Sequence, residues 1–329
     1  MARIFSLFAA AFVVFMPLPV QAFDCAKATT KTEKLICSDS ALKQADDRLG
    51  EVWIRMRETL ADDEYKAMLA SQRAWLRSRE ERCGYGSSSE RVSCLLELTR
   101  ERALLISASP GSGPGGGGSM VPFALQQKGS KTVYEVYLAG VRFTEPDLAG
   151  EVAFNEAIDA LIADAPLNTK VDFESPGGLT YNQSIVLTYA SPFLVSALVS
   201  TDRYDGGAHP NYFFSSINVN PEKGVLTTDM LFSDGTRVDL EQACAQNLFR
   251  KGNSTALGAA ERKEILSPEY EKVIEGAVGS MSSWTFDADG ALLHFSPYDL
   301  SSYAAGAFEC RLSLPILRGL TVSRELLPQ

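Results

Sequence analysis

The amino-acid sequence predicts a small, disulfide-stapled all-α N-terminal domain and an α+β C-terminal domain with a mainly antiparallel sheet. Apolar residues recur at helical spacing before residue 108 and alternate at strand spacing over much of the rest. A segment rich in glycine, serine and proline separates the two patterns. The chain has 329 residues, 45% hydrophobic and 22% charged, which favours a globular protein with two domains.

Residues 1–22 have the pattern of a secretory signal peptide. Arg3 supplies a positive charge, IFSLFAAAFVVFMPLPV forms an apolar region, and Val20-Gln21-Ala22 resembles a cleavage site. We expect the mature chain to begin near Phe23. The apolar region is short for a membrane span, and no other run approaches the roughly 18 residues that a spanning helix needs. We therefore expect a periplasmic or secreted protein with no membrane span in the mature chain.

Residues 23–108 predict three helices. Apolar residues spaced by three and four define the first helix, from about Ser40 to Leu60. An acidic break starts the second helix, which runs to about Arg82. The third follows a loop with the sequence GYGSSS.

The cysteines predict three disulfides, because an exported protein matures in an oxidising compartment. The first two helices, each about 30 Å long and joined by a short connection, should lie antiparallel. Cys37, before the first helix, would then lie beside Cys83, at the end of the second, which leaves Cys25 to pair with Cys94. Four cysteines allow three connectivities, so helix length favours this pairing without fixing it. The two cysteines left over are Cys244 and Cys310.

Residues 109–119, SPGSGPGGGGS, predict a flexible linker that lets the two halves move independently. Residues 23–108 contain 15 basic and 15 acidic residues, whereas residues 119–329 contain 15 basic and 26 acidic ones. The acidic half is poorly suited to nucleic acid and well suited to a basic protein. The alternative is that its acidity only keeps an exported domain soluble.

The C-terminal domain, residues 120–329, predicts strands with helices between them. KTVYEVYLAGVRF at 131–143 alternates as a strand, and 146–165 has helical spacing. The pattern is helical again over about 236–275, and 283–296 predicts a hairpin. Four further strand patterns lie between these helices: TYNQSIVLTYA, FLVSALVSTDRY, NYFFSSINVN and GVLTTDMLF.

The N-terminal half resembles the LprI-type lysozyme-inhibitor-like domain. The resemblance rests on FDCAKATTKTEKLICSDSALKQADDRL, SQRAWLRSREERC and CLLELTRERALLI, and covers nearly all of residues 23–108. It implies binding and inhibition of lysozyme at the cell envelope. Most matching positions also have a structural explanation: Trp75 fits a small core, and Glu33 fits a helix-capping box with Thr30.

The C-terminal half resembles the C-terminal module of the RsiV anti-sigma factor and of the PdaC peptidoglycan deacetylase. The matching stretches are GGAHPN at 206–211, DMLF at 229–232, PYDL at 297–300 and YAAG at 303–306. In the anti-sigma factor, the resemblance implies recognition of lysozyme. It does not imply signalling or deacetylation, because those belong to other domains of the two families.

Eight residues are candidate binding residues. The arginines form a basic helix face that could bind the carboxylates of a lysozyme cleft, although such a face is more often simply solvated. His209 is expected mainly to orient a turn, with contact to a partner as the alternative, and the tyrosines could instead stack on sugars. The eight are Arg73, Arg77, Arg79, Arg82, Tyr204, His209, Tyr212 and Tyr303.

The sequence carries no signal for an enzyme. It has no Gly-x-Ser-x-Gly elbow, no phosphate-binding loop, and only two histidines, His209 and His294, without metal-ligand spacing. We therefore expect no catalytic residue, metal or cofactor. The sequence predicts an exported binding protein that recognises and inhibits lysozyme or a related muramidase. The alternative is an envelope protein that binds peptidoglycan or another glycan without inhibitor activity.

Overall fold

The computed structural model describes residues 24–84, 86–109, 119–248, 268–303 and 306–329. The expected signal peptide and most of the expected linker lie outside these ranges, as does part of the helical region expected at 236–275. None of the helices in the described ranges is both long enough and apolar enough to cross a membrane.

The N-terminal domain contains four helices: α1 Lys31–Ser38, α2 Ser40–Thr59, α3 Asp62–Arg82 and α4 Ser88–Ser107. The sequence predicted the last three and missed α1. The expected capping box is present, because the Thr30 hydroxyl accepts from the Glu33 amide at 3.1 Å while the Glu33 carboxylate accepts from the Thr30 amide at 2.7 Å. This capping box fixes the start of α1, a helix too short to show a long run of apolar residues at helical spacing.

Two of the three predicted disulfide pairings are wrong. The disulfides are Cys25–Cys37, Cys83–Cys94 and Cys244–Cys310, so only the last pairing is confirmed. The first four cysteines do lie at one end of the helical domain, where Cys83 and Cys94 pack with residues of α1 and α2. The error comes from α1, which turns the chain back so that Cys37 meets Cys25. Cys83 then pairs across the α3–α4 loop.

The C-terminal domain is built on a six-stranded sheet with strand order β1-β2-β3-β4-β5-β6. β2 and β3 are parallel and joined through α5, and the other neighbours are antiparallel. The sequence predicted β2 to β5 and α5, but the strand expected at 224–232 is only the two-residue β6, and Thr228–Leu231 form a short helix. The elements are β1 Met120–Gln127, β2 Glu135–Phe143, α5 Ala149–Asp164, β3 Thr180–Ala190, β4 Val195–Tyr204, β5 Asn211–Asn220, β6 Gly224–Val225 and α6 Thr228–Leu231.

A second, three-stranded sheet packs against the end of the first one. Its strand β7 contacts β3, β4 and β5, and Trp284 on β7 is buried in the largest core cluster. The hairpin expected at 283–296 is confirmed as β7–β8. The elements are α7 Asp234–Leu248, α8 Pro268–Gly279, β7 Trp284–Asp287, β8 Gly290–Phe295, β9 Phe308–Ser313 and α9 Leu314–Leu320.

The two domains share a hydrophobic core, contrary to the independence expected from the linker. α5 covers one face of the six-stranded sheet, while α3 and α4 lie on the opposite face. Along β3, Ile185 and Leu187 pack towards α5, whereas Val186 packs with Met68 and Leu105 of the helical domain. This alternation follows from strand geometry, in which successive side chains point to opposite faces. The sheet is therefore buried on both sides.

Candidate functional site

A groove lies between α3 and the sheet, beyond the region where the two domains pack tightly. Its floor contains a row of side chains aligned in register across four strands: Tyr137 on β2, Asn182 on β3, Asp202 on β4 and Tyr212 on β5. On β3, Asn182 is an even number of residues from Val186, which packs against the helical domain, so both side chains lie on the same face of the sheet. The other three residues are aligned with Asn182 and share that face.

The next row of the same face has two serines at its centre and an apolar residue at each side. Ala139, Ser184, Ser200 and Phe214 are aligned across the same four strands. Together, the two rows place hydroxyl, amide and carboxylate groups at the centre of the floor and aromatic rings at its sides. We call the space above them the interdomain groove.

The roof of the interdomain groove is α3. Ala74, Trp75, Ser78 and Arg82 face the floor along successive turns of this helix. Three adjoining cavities, of about 70, 280 and 540 Å³, follow one another along the groove and share lining residues such as Asp202 and Tyr212. The groove therefore needs both domains, because neither α3 nor the sheet encloses it alone.

Two arginines of α3 connect the helical domain to the floor. Arg77 donates to the Tyr137 hydroxyl at 3.3 Å and approaches the Glu135 carboxylate at 4.0 Å. The guanidinium carbon of Arg82 lies 5.5 Å from the ring centre of Tyr212, within the range of a cation–π contact. Both side chains remain exposed at the groove, so these contacts orient them without burying them.

Aromatic rings line the wide end of the groove. The His209 and Tyr303 rings stack with centres 3.6 Å apart, and the Tyr303 and Tyr212 rings lie near parallel at 6.3 Å. Together with Arg82 they form a continuous series of flat groups along one wall. Burial raises the pKa of both Tyr212 and Tyr303, so both phenols stay protonated and can donate hydrogen bonds at neutral pH.

The loop that carries His209 is held by hydrogen bonds where it leaves β4. Before it, the Asp205 carboxylate accepts from Arg203 at 2.8 Å and from the Tyr134 hydroxyl at 2.5 Å. Within it, the Tyr204 hydroxyl donates to the Gly207 carbonyl at 3.0 Å. Gly206 has φ +85°, a conformation that favours glycine, and a Cβ there would lie 2.9 Å from the Ser175 hydroxyl. Gly206 thus shapes the loop that presents His209.

Asp202 lies at the centre of the floor. Its carboxylate lies 3.4 Å from the Ser78 hydroxyl of α3. Burial raises its pKa from 3.8 to about 6, although the nearby Arg82 and the Ser78 hydroxyl partly offset the effect. The carboxylate is therefore mostly ionised at neutral pH, in a place where its charge is poorly hydrated.

Arg79 does not belong to the exposed basic face of α3, because its side chain is buried. It is 5% exposed, donates to the Thr99 hydroxyl at 3.1 Å, and lies 4.7 Å from the Trp75 ring centre. Arg102 of α4 is similarly buried, donates to Gln72 and Ser71, and has its pKa lowered to about 9 by burial. These arginines organise the packing of α3 on α4.

Six of the eight candidate binding residues line the interdomain groove: Arg77, Arg82, Tyr204, His209, Tyr212 and Tyr303. Arg73 is exposed elsewhere on α3, and Arg79 is buried. Apart from Tyr212, sequence reasoning missed the floor, whose polar residues Asn182, Ser184, Ser200 and Asp202 belong to no motif. The available signal was that TYNQSIVLTYA becomes polar at positions 182 and 184, on the face that is apolar at Val186.

Comparison with known families identifies both halves. Residues 25–104 match the family model described as lysozyme inhibitor LprI, and residues 230–314 match a family of unknown function, DUF3298. The chain carries an LprI domain at its N-terminus and a DUF3298 domain at its C-terminus. These matches confirm the two resemblances drawn from the sequence. A search of curated proteins gave no match.

Solved structures of DUF3298 proteins resemble part of this chain. One, from Pseudomonas aeruginosa PAO1, is 14% identical with a TM-score of 0.43, and the match covers 65% of this chain and 98% of that one. Another, from Bacteroides fragilis NCTC 9343, is 14% identical with a TM-score of 0.42, covering 63% and 95% of the two chains.

Proposed function

We propose that this protein acts outside the cytoplasm as a non-enzymatic inhibitor of lysozyme or a related muramidase. The observation that carries the proposal is the match of residues 25–104 to the lysozyme inhibitor LprI family. The three disulfides are consistent with an extracytoplasmic protein. The acidic C-terminal domain supports association with a basic protein, since complementary charge speeds encounter.

The outer surface of α3 is the part of the helical domain best placed to meet such a partner. Arg77 and Arg82 turn towards the groove, and Arg79 is buried, so Arg73 is the member of the basic face that stays fully outside. Leu76, one turn further along, is 39% exposed and adds apolar surface beside it. Arginine is one of the residue types enriched among interface residues whose truncation costs the most binding energy, which makes Arg73 the residue of this surface to test first.

The proposal is tested with the mature chain, residues 23–329, and purified lysozyme. We expect saturable binding by calorimetry and a dose-dependent slowing of the lysis of suspended cell walls. Arg73→Glu should weaken binding by about tenfold, because a repelled charge replaces a paired one. Arg55→Glu, at an exposed position on α2, is the matched control and should bind as the parent protein does.

The non-enzymatic part of the proposal has a separate measurement. Peptidoglycan incubated with the chain alone should release no new reducing ends and no muropeptides. Release of either would show hydrolysis and would refute this part, whatever the result with lysozyme.

A further inference from the structure

We propose that the interdomain groove is a binding site for an uncharged stretch of a pyranose oligosaccharide, such as a cell-wall glycan chain. This inference is separate from lysozyme inhibition and concerns a different surface of the molecule. It rests on the shape of the groove, its ring-lined wall, its polar floor and its balance of charge.

The ring-lined wall supplies stacking surfaces. The rings of His209, Tyr303 and Tyr212 lie nearly parallel, with interplanar angles of 17° and 20°. His209 and Tyr303 cover one face of each other at 3.6 Å, so a sugar would stack on their outer faces or on Tyr212. Sugar rings present flat apolar C–H faces, and aromatic side chains with a polar edge suit a ligand that is apolar on one face and wet on another. The groove extends past these rings for about 540 Å³, which is a volume that holds a small ligand or part of a chain.

The polar floor supplies hydrogen bonds of both kinds. Asn182 offers a donor and an acceptor, Ser184 and Ser200 offer hydroxyls, and Asp202 offers a carboxylate acceptor. A sugar hydroxyl both donates and accepts hydrogen bonds, so it can pair with a floor that offers donors and acceptors. The groups are half-buried rather than fully exposed, so a bound sugar would replace water at a surface already partly shielded.

The charges around the groove favour an uncharged ligand. Three basic side chains, Arg77, Arg82 and Arg102, line the three cavities together with three acidic ones, Glu81, Glu135 and Asp202. This balance gives little net attraction for a phosphate, a nucleic acid or a strongly basic peptide.

The backbone arrangement disfavours an extended peptide as the occupant. A strand added to the sheet would have to pair with β5 at the edge of the floor, because β5 pairs with β6 only at Val219 and Asn220. Such a strand would not cover the centre of the floor, which lies on β3 and β4, each paired with a strand on both sides. The floor also lacks a deep apolar pocket for a peptide side chain, since its central positions are occupied by Asn182, Ser184, Ser200 and Asp202.

The test is calorimetric titration of the mature chain, without lysozyme, against three saccharides. Chitotetraose carries acetamido groups, cellotetraose does not, and soluble peptidoglycan fragments add lactyl and peptide groups. We expect saturable binding of at least one, and the pattern among the three identifies the glycan source. Absence of saturable binding to all three would overturn the inference.

Matched variants locate the site. Tyr303→Ala removes the central ring and Asn182→Ala removes a floor amide, and each should weaken saccharide binding by about tenfold or more. Phe213→Ala is the control, because Phe213 neighbours Tyr212 on β5, points to the opposite face and is 50% exposed. If both groove variants keep native circular dichroism and bind saccharide as the parent does, the groove is not the site.

Lysozyme titrations of the same proteins keep the two proposals apart. A parent chain that binds saccharide but not lysozyme refutes only the inhibitor function. A parent chain that binds lysozyme but no saccharide refutes only the groove inference. Groove variants that lose saccharide and retain lysozyme support the groove as a separate site.

Discussion

Replacing Asp202 with asparagine should stabilise the protein at alkaline pH and leave it unchanged in acid. Burial raises the pKa of this carboxyl from 3.8 to about 6, a difference worth about 3 kcal/mol if the side chain were fully buried. Because Asp202 is partly exposed at the groove, we expect a gain of about 1–2 kcal/mol in the free energy of unfolding.

The sign of this effect follows from proton linkage. A carboxyl with a raised pKa in the folded state binds more protons there than in the unfolded state between about pH 4 and 6, so stability falls as the pH rises through that window. Well below pH 3.8 the acid is neutral in both states and resembles the amide. Above pH 6 the folded protein bears the full cost of the buried charge, and Asp202→Asn removes it.

Urea unfolding at pH 4, 6 and 8 measures the prediction. The advantage of Asp202→Asn over the parent should grow from near zero at pH 4 to its full value at pH 8. Asp239→Asn, at an exposed position on α7, controls for the loss of one negative charge and should change stability little at any pH. A variant less stable than the parent at pH 8, or one with an equal gain at pH 4, would refute the reasoning.

Three further predictions concern the architecture. Non-reducing peptide mapping should recover Cys25 linked to Cys37 and Cys83 linked to Cys94, and recovery of Cys37 linked to Cys83 would contradict the fold of the helical domain. Removing the Cys83–Cys94 bridge should lower the free energy of unfolding by about 2–3 kcal/mol, as expected for a short closed loop, measured against the parent in urea. Ala139→Asp should weaken the docking of the two domains, because Ala139 is 2% exposed and lies in their shared core. Ala124→Asp, on the partly buried β1, is the control and should weaken docking less. Separate thermal transitions for the two domains in Ala139→Asp are the expected result, and an unchanged single transition would argue against a shared core.

Local patterns predicted the elements whose signal is repeated over many residues. α2, α3 and α4 each extend for 20 or 21 residues, which gives several turns of apolar spacing. β2 to β5 are rich in β-branched and aromatic residues. By contrast, α1 has eight residues, and β1 is an edge strand containing Pro122, so neither carries a strong pattern.

Contacts between distant segments could not be read from the sequence. The pairing of Cys25 with Cys37 depends on α1, and the burial of Arg79 depends on Thr99 of another helix. The docking of the two domains places Val186 against Met68, which no local pattern indicates. The family resemblances identified the loop around His209, but the groove beside it exists only after both domains have packed.

The most direct test of the account is the inhibition of lysozyme by the intact mature chain. Lysozyme at a fixed concentration is mixed with increasing amounts of the chain, and the initial rate of cell-wall lysis is followed by turbidity, with binding measured by calorimetry in the same buffer. Lysis should slow to a saturating limit as the binding isotherm saturates, and Arg73→Glu should shift both curves to higher concentration. If lysis continues at an undiminished rate with the chain in molar excess over lysozyme, and no binding is measurable, the proposed inhibition is refuted.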